Sequence, residues 1–184
     1  MEREYYTLHV AGVTRELPIV PVNDQLRIAS FVILGDTELV CRAAEELVQK
    51  LPPVDVLITA EAKGIPLVFE VSRLLGMKHY VVARKSVKPY MENPLIHEVV
   101  SITTQKKQLL CLDRKDALAI QRRRVAIVDD VISTGESVKA LETLVKKAGG
   151  DVVTKAAILA EGDAIQRDDI VYLAPLPLFP VKKE

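Results

Sequence analysis

Neither sign of charge is in excess in this chain: Lys and Arg number 25, and Asp and Glu number 25. Phosphate contacts need a surplus of basic charge, so the balance argues against general nucleic-acid binding as the main task. Arg122, Arg123 and Arg124, the densest basic run, read as a solvated turn. Cysteine is scarce. Cys41 falls in a helical pattern and Cys111 in an apolar run, which fits two buried thiols in a reducing compartment better than a disulfide. His9, His79 and His97 are scattered, without metal-ligand spacing. No uncharged apolar run approaches the roughly 18 residues of a membrane span. The opening MEREYYTLHV has no apolar core of a secretory leader. These absences lead us to expect a cytoplasmic protein. No internal repeat or low-complexity segment is present.

What is present reads as a single domain over residues 1–184, with 49% hydrophobic and 27% charged residues. Tyr5–Val10 and Arg15–Val20 are short β-like runs, turned by Ala11 and Gly12. Val22–Leu34 shows no clear period. Asp36–Leu51 has a helical stripe from Leu39 to Leu51, a cap at Asp36 or Thr37, and Pro52-Pro53 as its stop. Val54–Thr59 reads as a buried strand and Ile65–Leu75 as a helix with Pro66 in its first turn. His79–Ala83 reads as the next strand. Residues 86–108 break this rhythm, with a β-like patch at Glu98–Thr103 and a returning strand at Gln108–Leu112. So long an excursion suits a flexible hairpin lid. Asp116–Gln121 reads as a short helical turn. The strand–helix–strand alternation predicts an α/β fold: a Rossmann-like central parallel sheet flanked by helices.

The organising stretch is Arg124–Ser137, RVAIVDDVISTGES. Val125–Val128 is a short buried strand. Asp129 and Asp130 sit where it would end. Ser133, Thr134, Gly135, Glu136 and Ser137 form a hydroxyl-rich turn, and Val138–Ala148 continues as an amphipathic helix stopped by Gly149 and Gly150. Converging backbone N–H groups, a helix start and the hydroxyls of Thr134 and Ser137 make a phosphate site. Gly135 lets backbone approach the anion. Adjacent carboxylates would repel a phosphate unless they hold diol hydroxyls or a metal. Together the two halves suit a sugar phosphate. Asp151–Leu159 is the following strand, Val171–Leu173 a last short one, and Pro175, Pro177 and Pro180 mark an irregular or edge-like tail.

RVAIVDDVISTGES resembles the signature that binds phosphoribosyl pyrophosphate (PRPP) in type I phosphoribosyltransferases. The resemblance implies that Glu61, Ala62, Lys63 and Gly64 bind pyrophosphate, and that Arg84 and Lys85 are a basic pair near it. It also implies that Asp129 and Asp130 hold the ribose, directly or through Mg²⁺, and that Ser133–Ser137 hold the 5-phosphate. The implied reaction is displacement of pyrophosphate from C1 by a purine, with Asp129, Asp130, Arg84 and Lys85 as catalytic groups, in a homodimer.

Most of the chain is similar to adenine phosphoribosyltransferases. Leu26-Arg27 looks like their base hood, within residues 1–35. EAKG, RLLG, ARK and KDAL resemble their pyrophosphate loop, helix, basic pair and pre-strand segment. Leu159 and Glu161 would then underlie the base. The lid segment Ser101–Gln105 carries no acid where those enzymes have a catalytic Glu, and VVSITTQKKQ looks more like xanthine phosphoribosyltransferases. KGIPL and LAEG also resemble purine-operon repressors. Adenine is the first expectation. Xanthine or guanine, or a catalytically silent PRPP sensor, are the alternatives.

Overall fold

The computed structural model describes residues 3–100 and 107–181. Its centre is a five-stranded sheet, all parallel, in the order β10-β9-β8-β4-β5. These strands are β4 (Val56–Ala60), β5 (Val81–Ala83), β8 (Arg124–Ile132), β9 (Asp151–Glu161) and β10 (Val171–Leu176). Along β8, Val125 and Ile127 enter one core, with Leu141 and Leu144 of α4 (Glu136–Lys147). Ala126 and Val128 enter the other, with Leu47 of α1 (Thr37–Lys50) and Val68 of α2 (Ile65–Leu74). A sheet covered on both faces needs apolar residues at every position, which is why this strand lacks alternation.

A second sheet, β1-β2-β3-β11, caps the domain. Strands β1 (Tyr5–Val10) and β2 (Val13–Asn23) form the expected hairpin, and β3 (Leu26–Ala29) follows. The tail supplies β11 (Leu178–Pro180), antiparallel to β3. Its prolines are tolerated because it lies at a sheet edge. This small sheet is pinned to the larger unit by Arg15, whose guanidinium donates to Asp36 at 2.7 and 2.9 Å. Asp36 also caps α1, accepting from the Leu39 N–H at 3.1 Å.

Strands β6 (Leu95–Val100) and β7 (Lys107–Leu112) make an antiparallel hairpin. Its rising strand starts before the predicted Glu98. The hairpin packs on α4, where Lys147 Nζ donates to Ile96 O at 3.2 Å. The predicted lid residues Ser101–Gln105 lie outside the described residues. A short helix α3 (Arg114–Ile120) leads into β8. Three sequence expectations are corrected. Asp129 and Asp130 lie inside β8, because pairing with β9 continues through Ile132↔Ala160. Strand β9 runs past Leu159 to Glu161, because β10 pairs with it to Leu176↔Glu161. A 3-10 turn, Gly162–Gln166, follows where no element was expected. Both cysteines are free thiols, Cys111 buried and Cys41 partly so.

Candidate active site

The loops after β4, β5 and β8 leave the same edge of the central sheet, the edge where open α/β sheets bind ligands. They border a cavity of about 540 Å³. Its wall includes Glu61, Ala62, Lys63, Lys85, Asp129, Asp130, Ser133 and Ser137. A smaller hollow of about 100 Å³ adjoins it, formed by the 133–138 turn and sharing Asp129, Val131, Ser133 and Ser137 with the first. Sequence analysis grouped these residues, and the fold brings them together.

The two aspartates differ in surroundings. Asp130 is 3% exposed. Lys63 Nζ lies 2.9 Å from Asp130 Oδ2, but no donor is aligned on that buried oxygen. Asp129 opens partly to the cavity, and its Oδ1 accepts the Asp130 N–H at 2.9 Å. Burial pushes the Asp129 carboxyl above the ordinary carboxylate range, and the Asp130 charge adds to this. The Asp130 N–H and Lys63 oppose both effects. A hydroxyl or a cation beside the pair would relieve the repulsion.

The loop after β4 is held from two sides. The Glu61 N–H donates to Ala83 O at 3.0 Å, and its carboxylate accepts the Lys85 N–H at 3.0 Å and pairs with the Arg84 guanidinium. Burial alone would raise the Glu61 carboxyl, but these two donors hold it below its usual range. The Glu61–Ala62 peptide is cis. Gly64 closes the loop and precedes α2; a Cβ there would stand 2.1 Å from Thr59 Oγ1, so no larger residue fits. Arg84 is spent on Glu61 and on Tyr90, whose hydroxyl it meets at 2.9 Å. It does not reach the cavity wall, whereas Lys85 does.

The turn after β8 has a helix start behind it. The first intrahelical bond of α4 runs from Lys139 N–H to Gly135 O at 2.8 Å, leaving the N–H groups of Glu136, Ser137 and Val138 without helical acceptors. Thr134 and Ser137 add hydroxyls beside them. Gly135 has φ +79°, and a Cβ there would lie 2.7 Å from Arg167 Nη1. That guanidinium, held by Asp169 at 2.8 and 2.7 Å, adds positive charge behind the turn. Sequence reasoning missed Arg167, because no local spacing connects it to Gly135.

Among the described residues, no group of three or more His, Cys, Asp or Glu could hold a metal. The Asp129–Asp130 pair, with its unsatisfied buried oxygen, still fits Mg²⁺. That ion commonly takes one or two carboxylates and fills its other positions with phosphate oxygens and water.

The opposite wall is built from the stretch that follows the expected hood residues. Ile28, Ala29, Ser30, Phe31 and Val32 line the cavity, whereas Leu26 and Arg27 do not. Those two lie earlier on β3, where Leu26 pairs with Pro180, and Arg27 Nη1 donates to Glu4 Oε2 at 2.6 Å. Leu159 is fully buried in the core beneath the strand end and is not part of this cavity's wall. Glu161, Val131 and Leu176 do line it. The prolines around Leu176 hid its strand from a sequence reading.

Residues 35–174 match a family model described as the phosphoribosyl transferase domain. An adenine phosphoribosyltransferase of Thermosipho melanesiensis is 30% identical over 95% of this chain and 93% of its own length. A hypoxanthine/guanine phosphoribosyltransferase of Methanotorris igneus is 29% identical, over 79% and 73% respectively. The fold is similar to the adenine phosphoribosyltransferase of Thermoanaerobacter pseudethanolicus (TM-score 0.70, 23% identity, 86% of this chain and 95% of that one). It is also similar to that of Trypanosoma brucei in complex with AMP, pyrophosphate and ribose-5-phosphate (TM-score 0.62, 19% identity, 78% and 67%).

Proposed function

The chain belongs to the phosphoribosyl transferase domain family, and from that premise we propose that it transfers the 5-phosphoribosyl group of PRPP to a purine, adenine first, giving AMP and pyrophosphate. One observation carries the reading: an anion-binding turn and a buried carboxylate pair share one wall between two adjoining hollows. That is the layout a sugar with a 5-phosphate requires. The near full-length likeness to an adenine enzyme supports adenine over other purines.

Each group has a task. The N–H groups at the start of α4 and the hydroxyls of Thr134 and Ser137 grip the 5-phosphate. Asp129 and Asp130 orient the ribose hydroxyls, and their charge offsets the cation that develops on the ring as the C1–O bond breaks. Lys63 and Lys85, with the backbone of Glu61–Gly64, receive negative charge on the departing pyrophosphate. Bound at the aspartates and phosphate oxygens, Mg²⁺ would neutralise that leaving group further. The purine nitrogen then bonds to C1 from the side of Ile28–Val32. Arg84 acts through Glu61, shaping the loop. A homodimer and purine salvage complete the proposal.

The test is direct. The protein is incubated with PRPP, Mg²⁺ and each of adenine, guanine, hypoxanthine, xanthine and orotate, and nucleotide and pyrophosphate are measured. AMP from adenine is expected. Orotate as sole acceptor overturns the purine reading. PRPP binding without turnover on any base would instead reveal a sensor.

A further inference from the structure

The cavity wall mixes two chemistries. Lys63, Lys85 and the aspartates come from the loops after β4 and β5 and from β8. Strand register adds a second set. Leu176 pairs with Glu161 across β10 and β9, and Leu178 pairs with Ile28 across β11 and β3. Ile28, Phe31, Val131 and Leu176 are its apolar members, and Glu161 is its charged one.

Glu161 is 8% exposed and lines the cavity. Its carboxylate has no hydrogen bond or ion pair among the described residues. Arg27 pairs through Nη1 with Glu4 at 2.6 Å and Arg167 with Asp169, so neither guanidinium is paired with Glu161. The Glu161 oxygens are open to the cavity and free to accept donors from a ligand that enters it.

We propose that Glu161 reads an exocyclic amino group of the acceptor base, so that the site takes aminopurines and discriminates against purines bearing only carbonyls. The inference rests on the phosphoribosyl-transfer reading and names the substrate class of that site. An ionised carboxylate only accepts hydrogen bonds. Adenine offers its 6-amino group. Guanine offers N1–H and its 2-amino group side by side, a match for both carboxylate oxygens. Hypoxanthine keeps N1–H but has only C2–H where guanine has its amino group, so the second carboxylate oxygen finds no donor. Xanthine flanks N1–H with two carbonyls. An acceptor facing an acceptor leaves both unpaired.

The experiment measures kcat/KM for adenine, guanine, hypoxanthine and xanthine at saturating PRPP and Mg²⁺, in the wild type, Glu161→Gln and Glu161→Asp. PRPP affinity is measured by calorimetry in all three. The wild type is expected to prefer an aminopurine by at least about 100-fold, as sites built around a substrate N–H do. Glu161→Gln, whose amide both donates and accepts, is expected to compress that ratio by about 10-fold or more, through the KM for base. Glu161→Asp keeps the acceptor chemistry and so keeps the preference at lower efficiency. PRPP affinity is expected to stay within about twofold throughout, since the proposal gives the changed group a contact with the base and none with PRPP. A ratio unchanged in Glu161→Gln, a preference lost in Glu161→Asp, or a wild type that favours hypoxanthine or xanthine overturns the proposal. Absence of turnover on every purine overturns it too, and marks failure of the enzyme reading rather than of Glu161 alone.

Discussion

Lys63 Nζ stands 2.9 Å from Asp130 Oδ2, joining the loop after β4 to the strand that carries the carboxylate pair. The lysine is 48% exposed and the aspartate 5% by side chain, so one partner can move and the other cannot. Pyrophosphate, with its higher charge, would compete for this ammonium. Lys63→Met is therefore expected to lower kcat/KM for PRPP by about 100-fold, the scale of one lost transition-state donor. Thermal stability should also fall, because the 5% exposed Asp130 carboxylate is left without its cation, with solvent screening at the half-exposed lysine limiting the loss. Steady-state kinetics and a melting curve check both.

Asp129→Asn with Asp130→Asn keeps size and removes charge. Turnover is expected to fall at least about 100-fold, equivalent to losing roughly 2.7 kcal/mol of transition-state stabilisation. Unchanged turnover would show that the ribose is held elsewhere.

Gly135→Ala puts a side chain at φ +79° and 2.7 Å from Arg167 Nη1. The left-handed backbone costs about 1–2 kcal/mol. At this chain length that corresponds to a fall in Tm of about 2–4 °C per kcal/mol. PRPP affinity should fall by more than about 10-fold, because backbone N–H groups of the turn must shift. Calorimetric titration measures the affinity. A variant that melts earlier yet binds PRPP unchanged would separate the turn's stability from its proposed role.

Asp129 gives the free protein a pH dependence of defined sign. Its folded carboxyl is raised above its unfolded value by burial and by Asp130. The folded state therefore retains a proton that the unfolded chain releases. This group's contribution to stability is present at low pH and is lost as pH rises above about 4, the unfolded value, until the folded group also ionises. Denaturant unfolding across that range should show Asp129→Asn with a flatter profile than the wild type, and a relative gain at higher pH. Parallel profiles would place the charge strain elsewhere.

Much of the site was legible because its chemistry is local. RVAIVDDVISTGES holds a buried strand, two acids, a hydroxyl turn and a helix start within one short stretch, and each piece is fixed by neighbours in sequence. Helix α1 was legible for the same reason, from the Asp36 cap through its apolar stripe to Pro52. The hood contacts were not. Leu26 and Arg27 looked apt, but the cavity is lined by Ile28 and Ala29 of β3 and by residues 30–32 after it, and the register of β3 against β2 and β11 was needed to place them. The extent of β9 beyond Leu159 was likewise not legible, because it depends on its neighbours β8 and β10.

The amino-acid order alone determined the α/β alternation, the buried central strand and the hydroxyl-rich turn, since hydrophobic period, capping and turn chemistry act over a few residues. Only the tertiary structure decided that Lys63 meets Asp130, that Arg167 backs Gly135, and that Leu176 pairs with Glu161. Those contacts join segments far apart along the chain, and their geometry follows from strand register and from which faces of the sheet are covered, quantities no single stretch encodes.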